Sequence, residues 1–432
     1  MPTVITDSGQ VLARQSRRES SARTYARSFP IVPVQASGLT ITGADGRTYL
    51  DCLSGAGSLA LGHNHPVVVN AIRKVLDDGA PLATLDLATP VKDAFVDTLF
   101  DLLPPNLKQN GRIHFCGPTG ADAVEAALKL TQTSTGRRGV LAFTGAYHGM
   151  TAGALATTGN VAARQNVVTT GEVTQLPYPY AYRCPFGVGG DDTARLSAHY
   201  VRQLLQDPNG GVVPPAAMIL EAVQGEGGVI PAPNEWMRAM RDITSQQGIP
   251  LIVDEVQTGV GRTGAFWAVD HSGVASDVLV LSKAIGGGLP LAVIVYDAAL
   301  DGWAAGAHTG TFRGNQLAMA AGAATLRYVA EHRLDERAEK LGDWLVAELS
   351  TLPFETIGDV RGRGLMIGVE ATDPAISQQV RAECLERGLI VELGGRDDAV
   401  VRLLPPLVMS DVEATSVLER LAAAWTAAER AR

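Results

Sequence analysis

Several residue types are scarce in this chain of 432 residues, and each scarcity excludes a class of protein. Its four cysteines stand far apart, without the spacing of metal ligands or redox pairs, which excludes a disulfide-stapled scaffold. We therefore expect reduced thiols and a cytoplasmic location. No stretch approaches the roughly 18 apolar residues of a membrane span, and the N-terminus lacks the apolar core of a secretory signal. We expect no membrane partner.

Positive charge is also in short supply. The formal net charge is −9 and the pI is near 5.4, so a nucleic-acid partner is not expected. A chain of this length with 46% hydrophobic residues predicts a globular protein of two lobes. The polar residues 1–20 predict a mobile arm ahead of them.

Only six lysines occur, and one of them has an unusual context. Lys283 ends the apolar run VLVLS and precedes glycines, whereas the other five lie in polar or helical segments. Asp254 ends a second apolar run, IPLIVD. Pyridoxal phosphate needs an amine that forms a Schiff base and a carboxylate that holds the pyridinium. Burial would lower the pKa of such a lysine. The local context leaves open a lysine that ends a strand and faces water.

Strand-like and helical segments alternate from about residue 112 onward, which predicts a mostly parallel sheet covered by helices. Ligands bind beyond the carboxyl ends of such strands, where Asp254 and Lys283 both lie. Before this region, Asp45-Gly46 predicts a hairpin. After about residue 320, a long helix and short strands predict an α+β lobe.

The segment FCGPTGADAV predicts a turn that opens a helix. Backbone N–H groups at Thr119, Gly120 and Ala121 would then form an anion site suited to a phosphate; an ordinary capped turn is the alternative. Tyr147 follows another strand and could stack on a planar cofactor, or fill the core. His63 and His65 lack further ligands in suitable spacing, so no metal site is expected.

These segments together resemble the class III, or ω-amino, aminotransferases, which are fold-type I enzymes dependent on pyridoxal phosphate. The resemblance covers about residues 19–420 and includes GPTGADAVEAALKL, GAYHG, QGEGGV, LIVDEVQTGVGRTG, LSKAIGGGLP and VRLLPPL. It implies a large cofactor-binding domain over residues 63–320. A smaller α+β domain would combine residues 21–62 with 321–432.

The resemblance also implies the cofactor site. Lys283 forms the Schiff base and moves the proton, Asp254 pairs with the ring nitrogen, and Tyr147 stacks on the ring. The remaining cofactor contacts are a hydrogen bond from Gln257 to the phenolic oxygen, phosphate contacts from Gly120 and Ala121 with Thr119 nearby, and a phosphate contact from Thr311 of a second subunit. That last contact implies a homodimer with shared active sites.

For the substrates, Arg402 corresponds to the arginine that binds the α-carboxylate of 2-oxoglutarate and glutamate. Glu226 corresponds to the acid that covers this arginine while an ω-amino donor is bound. Two departures from the family pattern bear on pocket shape: Ala222 stands where proline is frequent, and Arg313 where glycine is common.

The N-terminal half most resembles the family members that take an amino group from L-2,4-diaminobutyrate, with ESSARTYARSFP and PYPYAYRCPFG as telling segments. Asp86 could hold the donor's α-ammonium and Arg27 its carboxylate; surface or interface ion pairs are the alternative. Ornithine, acetylornithine and 4-aminobutyrate remain possible donors. Two alternative functions of other classes are an aminomutase or racemase, and a binding module without chemistry.

Overall fold

The computed structural model describes residues 8–431, so the first seven residues of the expected arm and the C-terminal residue lie outside it. The helices are α1 (Ser8–Arg18), α2 (Tyr25–Ser28), α3 (Pro66–Asp77), α4 (Pro90–Asp101), α5 (Pro105–Asn110), α6 (Gly120–Thr135), α7 (Ala152–Thr157), α8 (Val161–Arg164), α9 (Gly190–Gln206), α10 (Asn234–Gln246), α11 (Gln316–Glu331), α12 (Leu334–Ser350), α13 (Pro374–Glu386) and α14 (Asp411–Arg430).

The strands are β1 (Pro33–Ser37), β2 (Thr40–Gly43), β3 (Thr48–Asp51), β4 (Gly111–Phe115), β5 (Val140–Phe143), β6 (Val173–Leu176), β7 (Ala217–Leu220), β8 (Val223–Gln224), β9 (Ile230–Pro231), β10 (Leu251–Asp254), β11 (Val278–Leu281), β12 (Val293–Asp297), β13 (Ile357–Arg363), β14 (Met366–Ala371), β15 (Leu389–Ile390), β16 (Glu392–Gly394) and β17 (Val400–Leu403).

A seven-stranded sheet forms the centre of the molecule, in the order β4-β12-β11-β10-β7-β5-β6. Strands β5, β7, β10 and β11 are buried at every residue. Burial on both faces explains why their sequences are continuous apolar runs rather than alternating ones. The predicted α/β class and the mostly parallel sheet are confirmed.

One strand of this sheet runs the other way. Strand β12 pairs antiparallel with both β11 and β4, while β10 pairs parallel with β11 and with β7. The sequence reading did not identify β12 as a strand. Its direction is not readable from an apolar run, because buried parallel and buried antiparallel strands have the same composition.

The two ends of the chain meet in smaller sheets. The predicted hairpin is confirmed, since β2 and β3 pair antiparallel around the turn at Asp45-Gly46. Strand β15 then pairs parallel with β3, which ties the C-terminal part of the chain to its N-terminal part. A separate antiparallel sheet has the order β13-β14-β17-β16. The exact domain boundaries stay a prediction.

The N-terminal segment carries helix α1, none of whose residues is buried. Elsewhere, α3, α4 and α11 pack together on one side of the molecule, and α6 packs against β11 and β12. Among residues 8–431, no helix combines the length and the apolar character needed to cross a bilayer.

Candidate active site

Asp254 and Lys283 end up next to each other because β10 and β11 are adjacent parallel strands. Asp254 is the last residue of β10 and lies opposite Val280 of β11, and Lys283 follows the end of β11. Lys283 has a φ of 51°, in the left-handed region that residues with a side chain rarely adopt. Strained backbone of this kind concentrates at functional sites.

The carboxylate of Asp254 is fixed by two contacts. One oxygen lies 2.7 Å from Nδ1 of His148, and the other accepts the N–H of Val256 at 3.0 Å. Both partners in the first contact are buried, at 4% and 3% exposure. Burial disfavours the imidazolium, but the hydrogen bond and charge of Asp254 outweigh it and raise the pKa of His148. The pair therefore orients a carboxylate towards the cavity.

The amine of Lys283 lies among charges of both signs. Burial lowers its pKa, opposed by the negative charges of Glu226 and Asp254. A lowered pKa increases the fraction of free amine, which is the form that adds to a carbonyl carbon or accepts a proton. This placement argues against the alternative of a lysine facing bulk water.

The N-terminus of α6 forms one end of the cavity. Thr119 caps this 16-residue helix in a reciprocal arrangement: its N–H and hydroxyl donate to Asp122, and its hydroxyl accepts the N–H of Asp122. The polar groups of Thr119 are thus engaged with Asp122. The N–H groups of Gly120 and Ala121 belong to the first turn, where a helix supplies no acceptor of its own. They are the groups offered to an anion.

The cavity itself has a volume of about 290 Å³ and connects these groups. Tyr147 and Gln257 line it together with Lys283, Asp254 and the start of α6. That size lies near the lower end of the roughly 300–1,000 Å³ typical of small-molecule sites.

Two residues that line the cavity each have a buried polar atom without a hydrogen-bond partner among the described residues: Oε1 of Gln257 and Nε2 of His148. Gly225 also leaves room here, because a Cβ at that position would lie 1.8 Å from Oε1 of Gln257. Orphaned polar atoms beside an amine, a carboxylate and an anion site are what a bound polar cofactor would satisfy. The residues present therefore fit pyridoxal phosphate.

Arg402 and Glu226 form a two-pronged ion pair beside Lys283. Two guanidinium nitrogens lie 3.0 Å from the two carboxylate oxygens. Arg402 is 1% exposed, whereas the Glu226 side chain is 35% exposed. The backbone of Glu226 is held by the N–H of Gly395 at 2.9 Å. The acid can therefore leave by side-chain rotation alone, while the arginine stays in place.

Two acidic residues of this region were not predicted from the sequence. Glu221 is buried in the cavity wall and accepts N–H groups of Tyr147 and Gly225. Its burial raises its pKa to about 7, lowered in part by the nearby charge of His148. Glu392 lies against Arg402, at 2.9 Å. A charged residue inside the apolar segment LIVEL was the available signal for Glu392.

Three predicted residues do not reach this cavity within their own chain. Asp86 pairs with Arg313 at 3.0 Å, and the side chain of Arg27 donates to the carbonyl of Ser21 at 2.7 Å. Thr311 is exposed in the segment before α11. Their substrate and cofactor roles stay predictions.

Other features do not compete with this site. A larger groove of about 590 Å³ lies on the outer surface between α12 and α14, but charged residues that pair with one another dominate its lining. His63 contacts Asp51 at 2.8 Å, and His65 packs against Tyr328. Within residues 8–431, no group of three or more potential ligands is arranged around a common point for a metal ion.

Comparison with known proteins agrees with this geometry. The family model described as aminotransferase class-III matches residues 21–425. A diaminobutyrate–2-oxoglutarate aminotransferase of Rhizobium meliloti is 54% identical, over 97% of this chain and 93% of that protein. Its counterpart from Haemophilus influenzae is 44% identical, over 96% and 95%.

Solved structures give the same result. An amine transaminase from an uncultivated Pseudomonas species, in its PLP-bound form, has a TM-score of 0.85 and 29% identity. That match covers 95% of this chain and 97% of the other. A family match over most of the chain, with an amine, a carboxylate and an anion site meeting in one cavity, gives the conclusion: this chain belongs to the class III aminotransferases.

Proposed function

We propose that this chain is a pyridoxal-phosphate-dependent aminotransferase that moves the 4-amino group of L-2,4-diaminobutyrate to 2-oxoglutarate. The products are aspartate 4-semialdehyde and glutamate. The observation that carries the reaction type is the Arg402–Glu226 pair beside Lys283 and Asp254. The choice of donor is supported by the relatives at 54% and 44% identity.

The chain's own residues would hold the cofactor. The N–H groups of Gly120 and Ala121 bind its phosphate, Tyr147 covers its ring, and Gln257 reaches its phenolic oxygen. Asp254, oriented by His148, pairs with the ring nitrogen. When bound, pyridoxal phosphate supplies an electron-withdrawing ring that stabilises negative charge on the substrate carbon.

Lys283 has two tasks in this proposal. Its Nζ would hold the cofactor between turnovers and would be free to act as a base once the donor is bound. The freed Nζ, with a pKa lowered by burial, then accepts the proton from the carbon that bears the amino group. Nζ would hold this proton until it passes the proton on to the cofactor.

The Arg402–Glu226 pair lets one pocket accept two unlike substrates in turn. With diaminobutyrate bound, Glu226 neutralises Arg402 and no carboxylate is needed there. With 2-oxoglutarate or glutamate bound, Glu226 swings out and the substrate carboxylate takes its place on the planar guanidinium. Because both substrates use the same pocket, the first product should leave before the second substrate binds.

We further propose a homodimer, located in the cytoplasm, with Thr311 of each subunit completing the partner's phosphate site. Exposed apolar side chains near this residue support an interface, including Phe312 at 74% exposure and Leu87 at 65%. Four free thiols agree with a reducing compartment. Measurement of mass in solution tests the dimer.

A donor panel tests the proposed function. Purified holoenzyme is given 2-oxoglutarate and, in separate reactions, diaminobutyrate, ornithine, acetylornithine or 4-aminobutyrate, and glutamate is measured. Diaminobutyrate should give the highest kcat/KM. Lys283→Ala should abolish turnover, while Lys340→Ala, which changes an exposed lysine, should not. Faster turnover of another donor, or product formation without any keto acid, would overturn the proposal.

A further inference from the structure

Arg402 carries a second carboxylate in addition to Glu226. Glu392 of β16 lies directly opposite Arg402 of β17 in the antiparallel register, so both side chains share one face of the sheet. Oε2 of Glu392 lies 2.9 Å from a terminal nitrogen of Arg402. One buried guanidinium therefore faces two acids.

Glu392 forms an ion pair with Arg402 but accepts no hydrogen bond from it. The terminal nitrogen that Glu392 approaches has two N–H groups, and these already serve Glu226 at 3.0 Å and the carbonyl of Leu393 at 3.2 Å. Oε2 of Glu392 is buried and, among the described residues, has no hydrogen-bond partner. The charge of Arg402, 2.9 Å away, stabilises this oxygen, but its hydrogen-bonding position stays open to a further donor.

The carboxylate of Glu392 is linked to the cavity through Arg402, because Arg402 also pairs with Glu226, which lines the cavity. The carboxylate interacts electrostatically with Lys283 and lies within hydrogen-bonding distance of the Tyr25 hydroxyl. Burial raises the pKa of Glu392, opposed by Arg402 and reinforced by Glu226. While Glu226 covers Arg402, two carboxylates share one guanidinium. An ammonium group of the donor would be attracted to the second of them.

We propose that Glu392 binds the amino group that is not transferred, the α-ammonium of a diamino acid donor, and so selects diamino acids over monoamino ones. This inference rests on the proposed function. The N–H of the α-ammonium supplies the donor that Oε2 lacks. Tyr25, on the short helix α2, positions the carboxylate from its other side.

Two donors that differ only in the group concerned provide the test. L-2,4-diaminobutyrate and 4-aminobutyrate have the same carbon chain, and only the first has an α-amino group. Their kcat/KM values are measured for wild-type holoenzyme, for Glu392→Gln, and for the control Glu386→Gln, whose side chain is 73% exposed. Glutamine keeps the size of Glu392 and removes its charge.

Loss of a hydrogen bond between charged groups predicts a fall of about 10- to 100-fold for diaminobutyrate in Glu392→Gln. The value for 4-aminobutyrate should change by less than about 3-fold, because that donor has no group to lose. Glu386→Gln should leave the ratio of the two values unchanged. Equal losses for both donors would overturn the inference, since they would mean that Glu392 only supports Arg402. Unchanged kcat/KM values for both donors would overturn it too.

A binding measurement without turnover provides a second readout. Calorimetric titration of diaminobutyrate into Lys283→Ala protein is compared with the same titration into Lys283→Ala combined with Glu392→Gln. Affinity should fall by about the same factor as kcat/KM. If Glu392→Gln does not fold, as judged by circular dichroism, Glu392→Asp replaces it. It should lower the ratio of the diaminobutyrate kcat/KM to the 4-aminobutyrate kcat/KM below the wild-type ratio. Wild-type enzyme that makes no glutamate from diaminobutyrate would instead refute the proposed function itself.

Discussion

Replacement of Glu226 by glutamine is expected to separate the two half-reactions. Glutamine has nearly the same shape as glutamate but no charge, so the ion pair with Arg402 becomes a neutral contact. With an ω-amino donor bound, the buried guanidinium would then keep only Glu392 as a counter-charge, at 2.9 Å. With glutamate bound, the substrate carboxylate replaces Glu226 in any case, so its loss should matter little.

The structure sets the size of this effect. Two contacts of 3.0 Å join the pair, and hydrogen bonds to charged groups contribute about 1.5–3 kcal/mol each. Glu226 is 35% exposed, and solvent weakens its interaction, so we take about 1.5–3 kcal/mol for the pair as a whole. At about 1.4 kcal/mol per factor of ten, the donor half-reaction should slow by about 10- to 150-fold in kcat/KM.

Single-turnover kinetics provide the assay. The absorbance of the bound cofactor is followed after mixing with diaminobutyrate alone or glutamate alone, for wild type, Glu226→Gln and the exposed-site control Glu386→Gln. The glutamate half-reaction should change by less than about 3-fold, or become faster because a competitor for Arg402 is gone. Equal slowing of both half-reactions would refute the gate.

Three further predictions concern the supporting residues. Burial raises the pKa of Glu221 from an ordinary 4.5 to about 7, so between these pH values the folded protein keeps a proton that the unfolded chain has released. The stability of the folded protein therefore declines as pH rises from 4.5 to 7. Glu221→Gln removes this titration and should flatten the fall of Tm from about pH 5 to 7. An unaltered slope would contradict this. Gly394→Ala would place a Cβ 2.6 Å from Nε of Arg402, and should raise the KM for glutamate by about 10-fold or more; an unchanged KM would mean the arginine can shift without loss. Thr119→Ala removes the cap of α6 and should cost about 1 kcal/mol in urea unfolding, with Thr119→Ser restoring most of it; a loss without rescue by serine would count against the capping role.

The central sheet and the first two catalytic candidates were accessible from the sequence. Long apolar runs alternating with amphipathic segments predicted parallel strands, and the rule on strand ends then brought Asp254 and Lys283 together. The structure places Asp254 at the end of β10 and Lys283 just after the end of the adjacent strand β11. The turn at Gly120 was also identifiable, because glycine and threonine before a helical pattern are local signals.

Other parts depend on contacts between distant segments. Glu226 and Arg402 are 176 positions apart, and only the resemblance to a family paired them. Glu392 was missed because its relation to Arg402 comes from the register of β16 and β17, which local patterns do not define. Asp86 was suggested as an anchor for the donor's α-ammonium, yet its carboxylate pairs with Arg313, a long-range contact with no local signature.

The most direct test of the central claim follows the nitrogen atom itself. Diaminobutyrate carrying a heavy nitrogen isotope only at its 4-amino group is incubated with the holoenzyme and 2-oxoglutarate, and the glutamate formed is examined by mass spectrometry. The account predicts that the label appears in glutamate, and that diaminobutyrate labelled only at the 2-amino group gives unlabelled glutamate. Labelled glutamate from the 2-amino substrate, or no glutamate from either, would contradict it.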